Sequence, residues 1–312
     1  MTKLKALLLT EGLHGMISQT EGLAKALNFD YIHEKIELNS FWKLIPTSFT
    51  PVKKFVFKNK IEQDFDVIIS CGRKSIIPSI FLKKNSKKKI INIHIQNPKI
   101  SLKHFDFVVC PEHDNLEGPN VLSTKGAIHY LTHEEINKSK DYLLNKLEED
   151  KDVITLILGG PNKYYNYSDE NMISIFSTIN RMLKEHNLQL VVIPSNRTPK
   201  KTIELSKEYF TDNRTVIDVV DKSAYLSSLA LSKYLVVTCD STSMISEAAL
   251  TGKPVYVAMI PALRNDKRFQ RFRNLFEKLN IIKILENKLE TWNYEKLNEA
   301  DRIALEIKRK IN

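Results

Sequence analysis

The chain has 312 residues, 42% of them hydrophobic, which is ample for two α/β domains and more than a single domain usually holds. Its 47 basic and 37 acidic residues leave a net charge of +10, but the lysines are dispersed, so solvated faces are expected and a nucleic-acid partner is not. No apolar run approaches a membrane span, and MTKLKALLLTEG lacks a cleavage site, so a cytoplasmic protein is expected, its basic helices leaving peripheral membrane contact open.

In chain order, Leu4–Leu9 reads as a buried strand, and Gly12 and Gly15 then bracket His14 before an amphipathic helix that ends near Leu27. This turn lacks the GxGxxG fingerprint of dinucleotide sites, so no nicotinamide cofactor is expected. His14 has the imidazole chemistry of a general base and, equally, the place of an ordinary turn residue. Tyr31–Leu38 is the second strand. The following stretch carries Phe41, Trp42, Phe49, Phe55 and Phe57, rings expected mostly in the core and otherwise suited to an acceptor groove or a lipid-facing patch.

Val67–Ser70 is a third strand and delivers Gly72, Arg73 and Lys74, where Arg73 could meet an anion. Asp64 and Asp66 have the DxD spacing of metal-dependent sugar transferases, yet they lie at the strand's start, opposite the edge where open α/β sheets bind ligands, so no metal is expected. Ile90–Ile93 and Phe107–Cys110 complete a parallel sheet, with His94, Gln96 and Asn97 on the rim after one strand and Glu112, His113 and Asp114 after the other. Asn115–Ile128 reads as a crossing segment, and the charged Thr132–Lys151 as one amphipathic helix. The expected domains are thus 1–131 and 152–290, joined by a linker helix at 132–151 and closed by a return helix within 291–312.

Val153–Leu158 begins a second sheet and leads into Gly159 and Gly160, whose backbone can approach a ligand closely. Helix Asp169–His186 brings the chain back to strand Leu190–Ile193, after which come Ser195 and Arg197, the latter suited to charge-assisted bonds with a phosphate or to a solvated loop tip. Strands at Thr215–Val219 and Ile281–Leu285 continue the sheet, and Glu295–Lys310 is the final amphipathic helix. Cys71, Cys110 and Cys239 each close an apolar run and lack metal-ligand spacing, so they read as buried free thiols.

The densest signal is LVVTCDSTSMISEAALTGKPVYVA, a strand, a hydroxyl-rich turn, a two-turn helix and a second strand. Asp240, Ser241, Thr242 and Ser243 are helix-capping types, Gly252 suits a left-handed residue beyond the helix, and Pro254 stops it. Unpaired N–H groups and hydroxyls at such a helix start suit a diphosphate. Glu247 stands one turn in and is not explained by a capping box, since the residue three before it is Met244. It can accept bonds from ribose hydroxyls, or be a solvated glutamate on a helix that packs through Ile245, Ala248 and Ala249.

Two such sheets make an α/β fold of two Rossmann-like domains, glycosyltransferase-B-like, with a ligand cleft expected between them. EGLHGMISQTEGLAKAL, HDNLEGPNVLSTKGAIH, LILGGPN, PSNRTP, TCDSTSMISEAALTGKPVYV and TWNYEKLNEADRIA together resemble a bacterial member of the Elm-type mitochondrial fission factor family, nearly end to end. Glu11 stands where that pattern has an aspartate, and Gly12, Gly15 and Gln19 match its first turn. The resemblance implies a fold like that of nucleotide-sugar transferases, including those acting on lipid-linked precursors, and in plants the family is tied to recruiting a dynamin-like protein to mitochondria.

The resulting expectation is a metal-independent glycosyltransferase whose substrate is a nucleoside-diphosphate sugar, with no separate cofactor. Ser241, Thr242 and Ser243 would hold the diphosphate, Ser195 and Arg197 would add phosphate contacts, Gly159 and Gly160 would admit the ligand, and Glu247 would take the ribose. His14 would be the base toward a lipid-linked or membrane-surface acceptor. The alternatives are a non-catalytic module that binds a partner protein or a membrane, and a sugar-nucleotide epimerase, which needs several acidic or histidine residues facing the sugar.

Overall fold

The computed structural model describes residues 3–61, 64–212 and 214–311. The chain divides into two units, Met1–Tyr130 with Asn298–Asn312, and Leu131–Leu297. Each is built on a six-stranded sheet whose pairings are all parallel.

The first sheet comprises β1 Lys5–Thr10, β2 Asp30–Lys35, β3 Val67–Cys71, β4 Ile91–Ile95, β5 Phe107–Pro111 and β6 Val121–Thr124, in the order β2-β1-β3-β4-β5-β6. Its central strands are apolar on both faces because both are covered. Ala6, Leu8, Val67, Ile69, Ile93 and Val109 pack under α1 (His14–Leu27) and the C-terminal helix Glu299–Ile311. Leu7, Leu9 and Ile68 point the other way, toward Ile77 of the helix Ile76–Asn85 and toward Val56 and Phe57. Gly22 lets α1 sit against the 129–130 turn, since a Cβ there would lie 2.3 Å from the His129 carbonyl oxygen.

Four expectations change here. The crossing segment contains strand β6, which escaped notice because four residues, VLST, in a Gly- and Pro-bearing stretch give too short a period to register. His94 is not on the rim: β4 runs two residues further than expected, and its side chain is 1% exposed, with Nδ1 2.8 Å from the Ser70 hydroxyl. Burial lowers its imidazole to about 3, so it stays neutral. Of the five rings between 41 and 57, Phe57 is in the core and Trp42 half-buried, but Phe41, Phe49 and Phe55 are 64%, 79% and 57% exposed. Arg73 meets no free rim, because its guanidinium donates to the Ile45 and Lys43 carbonyl oxygens at 2.8 and 2.5 Å.

The second sheet comprises β7 Asp152–Leu158, β8 Leu188–Pro194, β9 Arg214–Val216, β10 Ser232–Thr238, β11 Val255–Ala258 and β12 Ile282–Ile284, in the order β12-β11-β10-β7-β8-β9. The expected helix at 132–151 is broken into His133–Lys138 and Asp141–Leu144. The Ser139 hydroxyl donates to the Glu135 carbonyl oxygen, and Ser227 interrupts the run by donating to the Lys140 carbonyl oxygen while accepting from the Leu143 N–H. On one face of the sheet, Leu143 packs with Val153, Val191, Ile193 and Ala224. The helix Asp169–Glu185 buries Met172, Ile175, Phe176, Ile179 and Met182, the spacing of a single helical stripe.

The strand order fixes where a ligand can enter. From β7 the chain winds outward through β8 to β9, then crosses back to β10 and winds the other way, so the direction reverses between β7 and β10. In open α/β sheets such a reversal is where ligands bind, at the carboxyl ends of the two strands. The same reversal occurs between β1 and β3 of the first unit.

Candidate functional site

At the switch point of the second unit, the turns after β7, β8 and β10 meet around Asp240, whose side chain is wholly buried. Its carboxylate accepts from the Gly160 N–H at 3.0 Å, from Arg197 Nη2 at 2.6 Å and from the Tyr167 hydroxyl at 2.5 Å. Burial and the Asp240 charge push the Tyr167 phenol well above its ordinary range, so it remains a donor. A second bond from Arg197, Nη1 to the Gly160 carbonyl oxygen at 2.6 Å, ties the three turns together. Sequence reading gave Asp240 only a capping role and passed over Tyr167. Such a buried anion is costly unless several donors surround it, and those donors come from stretches 43 and 80 residues away.

Gly159 and Gly160 are indeed places of close approach, but the approaching groups belong to the chain. A Cβ on Gly159 would lie 2.2 Å from Asp240 Oδ2, and one on Gly160 2.1 Å from the Arg197 carbonyl oxygen. Ser195 is likewise occupied, its hydroxyl donating to the Gly159 carbonyl oxygen at 2.9 Å. Arg197 keeps a 42% exposed side chain, with two of its nitrogens already engaged.

The helix after β10, Thr242–Ala249, starts on Ser241, whose hydroxyl accepts from the Met244 N–H at 3.4 Å. The half-buried Thr242 and Ser243 hydroxyls take no hydrogen-bond partner among the described residues. Glu247 is half-buried, with Oε2 accepting from the Tyr225 hydroxyl at 2.7 Å. Burial pushes its carboxyl up to about 7, against the opposing effect of that bond. Gly252 adopts φ +75°, the left-handed conformation expected of it.

Beside this turn is a pocket of about 430 Å³ lined by Asn171, Met259, Pro261, Asp266, Gln270 and Arg273 among others. Ile260, also in its wall, joins it to β10, since the Ile260 N–H donates to Cys239 Sγ at 3.3 Å. Asp266 and Arg273 are buried and paired at 3.1 Å, and Asp266 also accepts from Tyr165 at 2.5 Å and Gln270 at 2.6 Å. Burial alone would raise the Asp266 carboxyl; the bonds from Tyr165 and Arg273 outweigh it and hold it low. The sequence hid this pocket because Arg264–Arg273 reads as one more solvated basic cluster.

In the first unit, β1 is followed by Glu11 and Gly12, the latter at φ +83°. Glu11 accepts from the Lys74 N–H at 3.1 Å and pairs with Lys74 Nζ at 2.8 Å, bridging the switch point to the turn after β3. His14 opens α1 and is exposed, its ring edge-on to Tyr130. Open space faces Gly15, and Gln19 donates back to the Gly15 carbonyl oxygen at 3.0 Å. Asp64 and Asp66 both pair with Lys88, at 2.7 and 2.8 Å, at the opposite edge of the sheet.

Residues 14–311 match the profile of the family described as mitochondrial fission ELM1. The chain belongs to this family. An uncharacterized protein of Rickettsia prowazekii is 26% identical, with 94% of this chain and 95% of the relative covered. Mitochondrial fission protein ELM1 of Arabidopsis thaliana is 24% identical, with 78% of this chain aligned and 64% of the plant protein spanned. Among solved structures, UDP-GlcNAc 2-epimerase from Neisseria meningitidis, bound to UDP-GlcNAc, superposes with a TM-score of 0.54 at 13% identity, covering 98% of this chain and all of that one. MurG of Acinetobacter baumannii superposes at 0.52 with 11% identity, covering 99% and 90%. The ELM1-family chain thus has the two-sheet fold shared by glycosyltransferases and nucleotide-sugar epimerases.

Proposed function

We propose that this ELM1-family protein binds a nucleoside-diphosphate sugar on its second unit and transfers the sugar, as a glycosyltransferase. The observation that carries the reading is the turn after β10. Two hydroxyls without protein partners, Thr242 and Ser243, stand at a helix start, and one turn further a desolvated carboxyl, Glu247, keeps an oxygen with no hydrogen bond among the described residues. That spacing offers donors to a diphosphate and an acceptor to the ribose hydroxyls that follow it. Arg197 contributes through its remaining donors, with Asp240, Gly159, Gly160 and Ser195 as the frame that holds the turns. The neighbour that carries UDP-GlcNAc makes a UDP-sugar the first ligand to try.

The acceptor is assigned to the first unit, where the exposed His14 imidazole is a candidate base. Peripheral attachment to a membrane belongs to this reading, because a lipid-linked acceptor needs it; none of the described helices is long and apolar enough to cross one. The DxD carboxylates share Lys88 at the edge opposite the switch point, not on the turns that carry the proposed donor site, which supports a mechanism without a metal on them.

A thermal-shift screen of nucleoside diphosphates and their sugars tests this directly. Ligand at a hundred times its dissociation constant stabilises by about 2.7 kcal/mol, enough to move the midpoint visibly. No shift with any nucleoside diphosphate at millimolar concentration overturns the proposal.

A further inference from the structure

Residues 40–61 of the first unit hold five lysines and no acidic residue; Lys58 pairs with Glu37 at 3.7 Å, which leaves Lys43, Lys53, Lys54 and Lys60 without a carboxylate partner among the described residues. The same stretch exposes Phe41, Leu44, Phe49 and Phe55, by 64%, 85%, 79% and 57%. These are not the side chains of a loose loop. Arg73 grips the backbone at Lys43 and Ile45, the Asn39 side chain donates to the Phe55 carbonyl oxygen at 2.5 Å, and Leu38 bridges Phe57. Val52, Val56 and Phe57 are anchored in the core beneath. Trp42 lies between Phe41 and Phe55, at ring separations of 4.9 and 5.9 Å, so the three form one apolar surface, and Leu44 is three residues from Phe41 on the same short helix, Ser40–Leu44.

We propose that this patch is a docking surface for an anionic lipid bilayer, with Phe41, Leu44 and Phe55 entering the interface and Lys43, Lys53, Lys54 and Lys60 lying among the head groups. Aromatic and leucine side chains beside lysine stems are the composition that settles at the boundary of head groups and acyl chains. Charge selects the occupant. A second copy of this chain would set its own lysines against Lys43, Lys53, Lys54 and Lys60, whereas an anionic leaflet attracts each of them. The patch gives a place to the membrane attachment proposed above and is independent of the donor site.

The test is sedimentation of the whole protein with vesicles of phosphatidylcholine alone and with roughly a third phosphatidylglycerol. Binding is expected to the second at low salt and to weaken as salt rises. Leu44→Glu/Phe55→Glu, both at exposed positions, should lower the apparent affinity by roughly tenfold or more. Lys43→Glu/Lys53→Glu should do the same and flatten the salt dependence. Lys184→Glu/Lys200→Glu, the same charge change in the second unit, should leave binding nearly unaltered. Brominated lipid should quench Trp42, and the quenching should vanish in Trp42→Phe. No binding to anionic vesicles, or equal losses in the two lysine pairs, overturns the proposal, the latter by reducing it to net charge. Nucleotide binding by each variant reports on the donor site separately.

Discussion

Glu247→Gln separates the charge of this carboxyl from its shape. In the folded protein burial raises the group from 4.5 to about 7, in spite of the bond from Tyr225. The folded state therefore holds a proton that the unfolded chain has released across the interval between those values. The sign follows: this raised value favours folding fully below about pH 4.5 and progressively less as pH rises through 7. A difference of about 2.5 in pKa corresponds to about 3 kcal/mol. Glutamine has no proton to lose, so the wild type should fall relative to Glu247→Gln by about 3 kcal/mol between about pH 4.5 and pH 8. Urea unfolding of both proteins at four pH values across that range measures it. A stability difference that stays flat with pH refutes the desolvated carboxyl, and the case for its ribose role weakens with it.

Asp240 supports a second expectation: Arg197→Met leaves a buried carboxylate without its cation and should cost about 3 kcal/mol in chemical denaturation. Helix capping is assigned to Ser241, so Ser241→Ala should cost about 1 kcal/mol of stability, whereas Thr242→Val should spare stability and weaken nucleoside diphosphate and pyrophosphate alike in calorimetry. Because burial lowers the His94 imidazole to about 3, stability due to this residue is complete above the ordinary histidine value of 6.5 and falls by about 1.4 kcal/mol per pH unit below it; acid unfolding of His94→Asn should show a shallower slope. His14→Ala should leave donor binding intact while lowering turnover by roughly 10²-fold once an acceptor is in hand, and an unchanged rate removes it from the chemistry.

The alternation of apolar strands and amphipathic helices was legible except at the short β6 and the broken 132–151 segment, since strands such as Val153–Leu158 and helices such as the one burying Met172, Ile175 and Phe176 each state their period locally. A helix start within Asp240–Ser243 and the left-handed Gly252 were legible for the same reason, because capping chemistry involves only neighbours in sequence, and the structure picks Ser241 from those four. What could not be read were features assembled from distant segments. Asp240 looks like any capping aspartate until Arg197, Tyr167 and Gly160 arrive around it, and Gly160 looks like a ligand's glycine until the Arg197 carbonyl is seen to fill the space. Most of the five rings between 41 and 57 were expected in the core, yet Phe41, Phe49 and Phe55 are exposed, because hydrophobicity alone does not say which side of a short segment faces out.

The central claim is that the turn after β10 binds a nucleotide through separate phosphate and ribose contacts. Titration calorimetry of wild type and Glu247→Gln with UDP and with pyrophosphate tests it most directly. The account predicts saturable UDP binding that weakens by about 1–3 kcal/mol in the variant, with pyrophosphate bound equally by both. Wild-type protein that is folded yet takes up neither ligand, or a variant that binds UDP as tightly as the wild type, contradicts it.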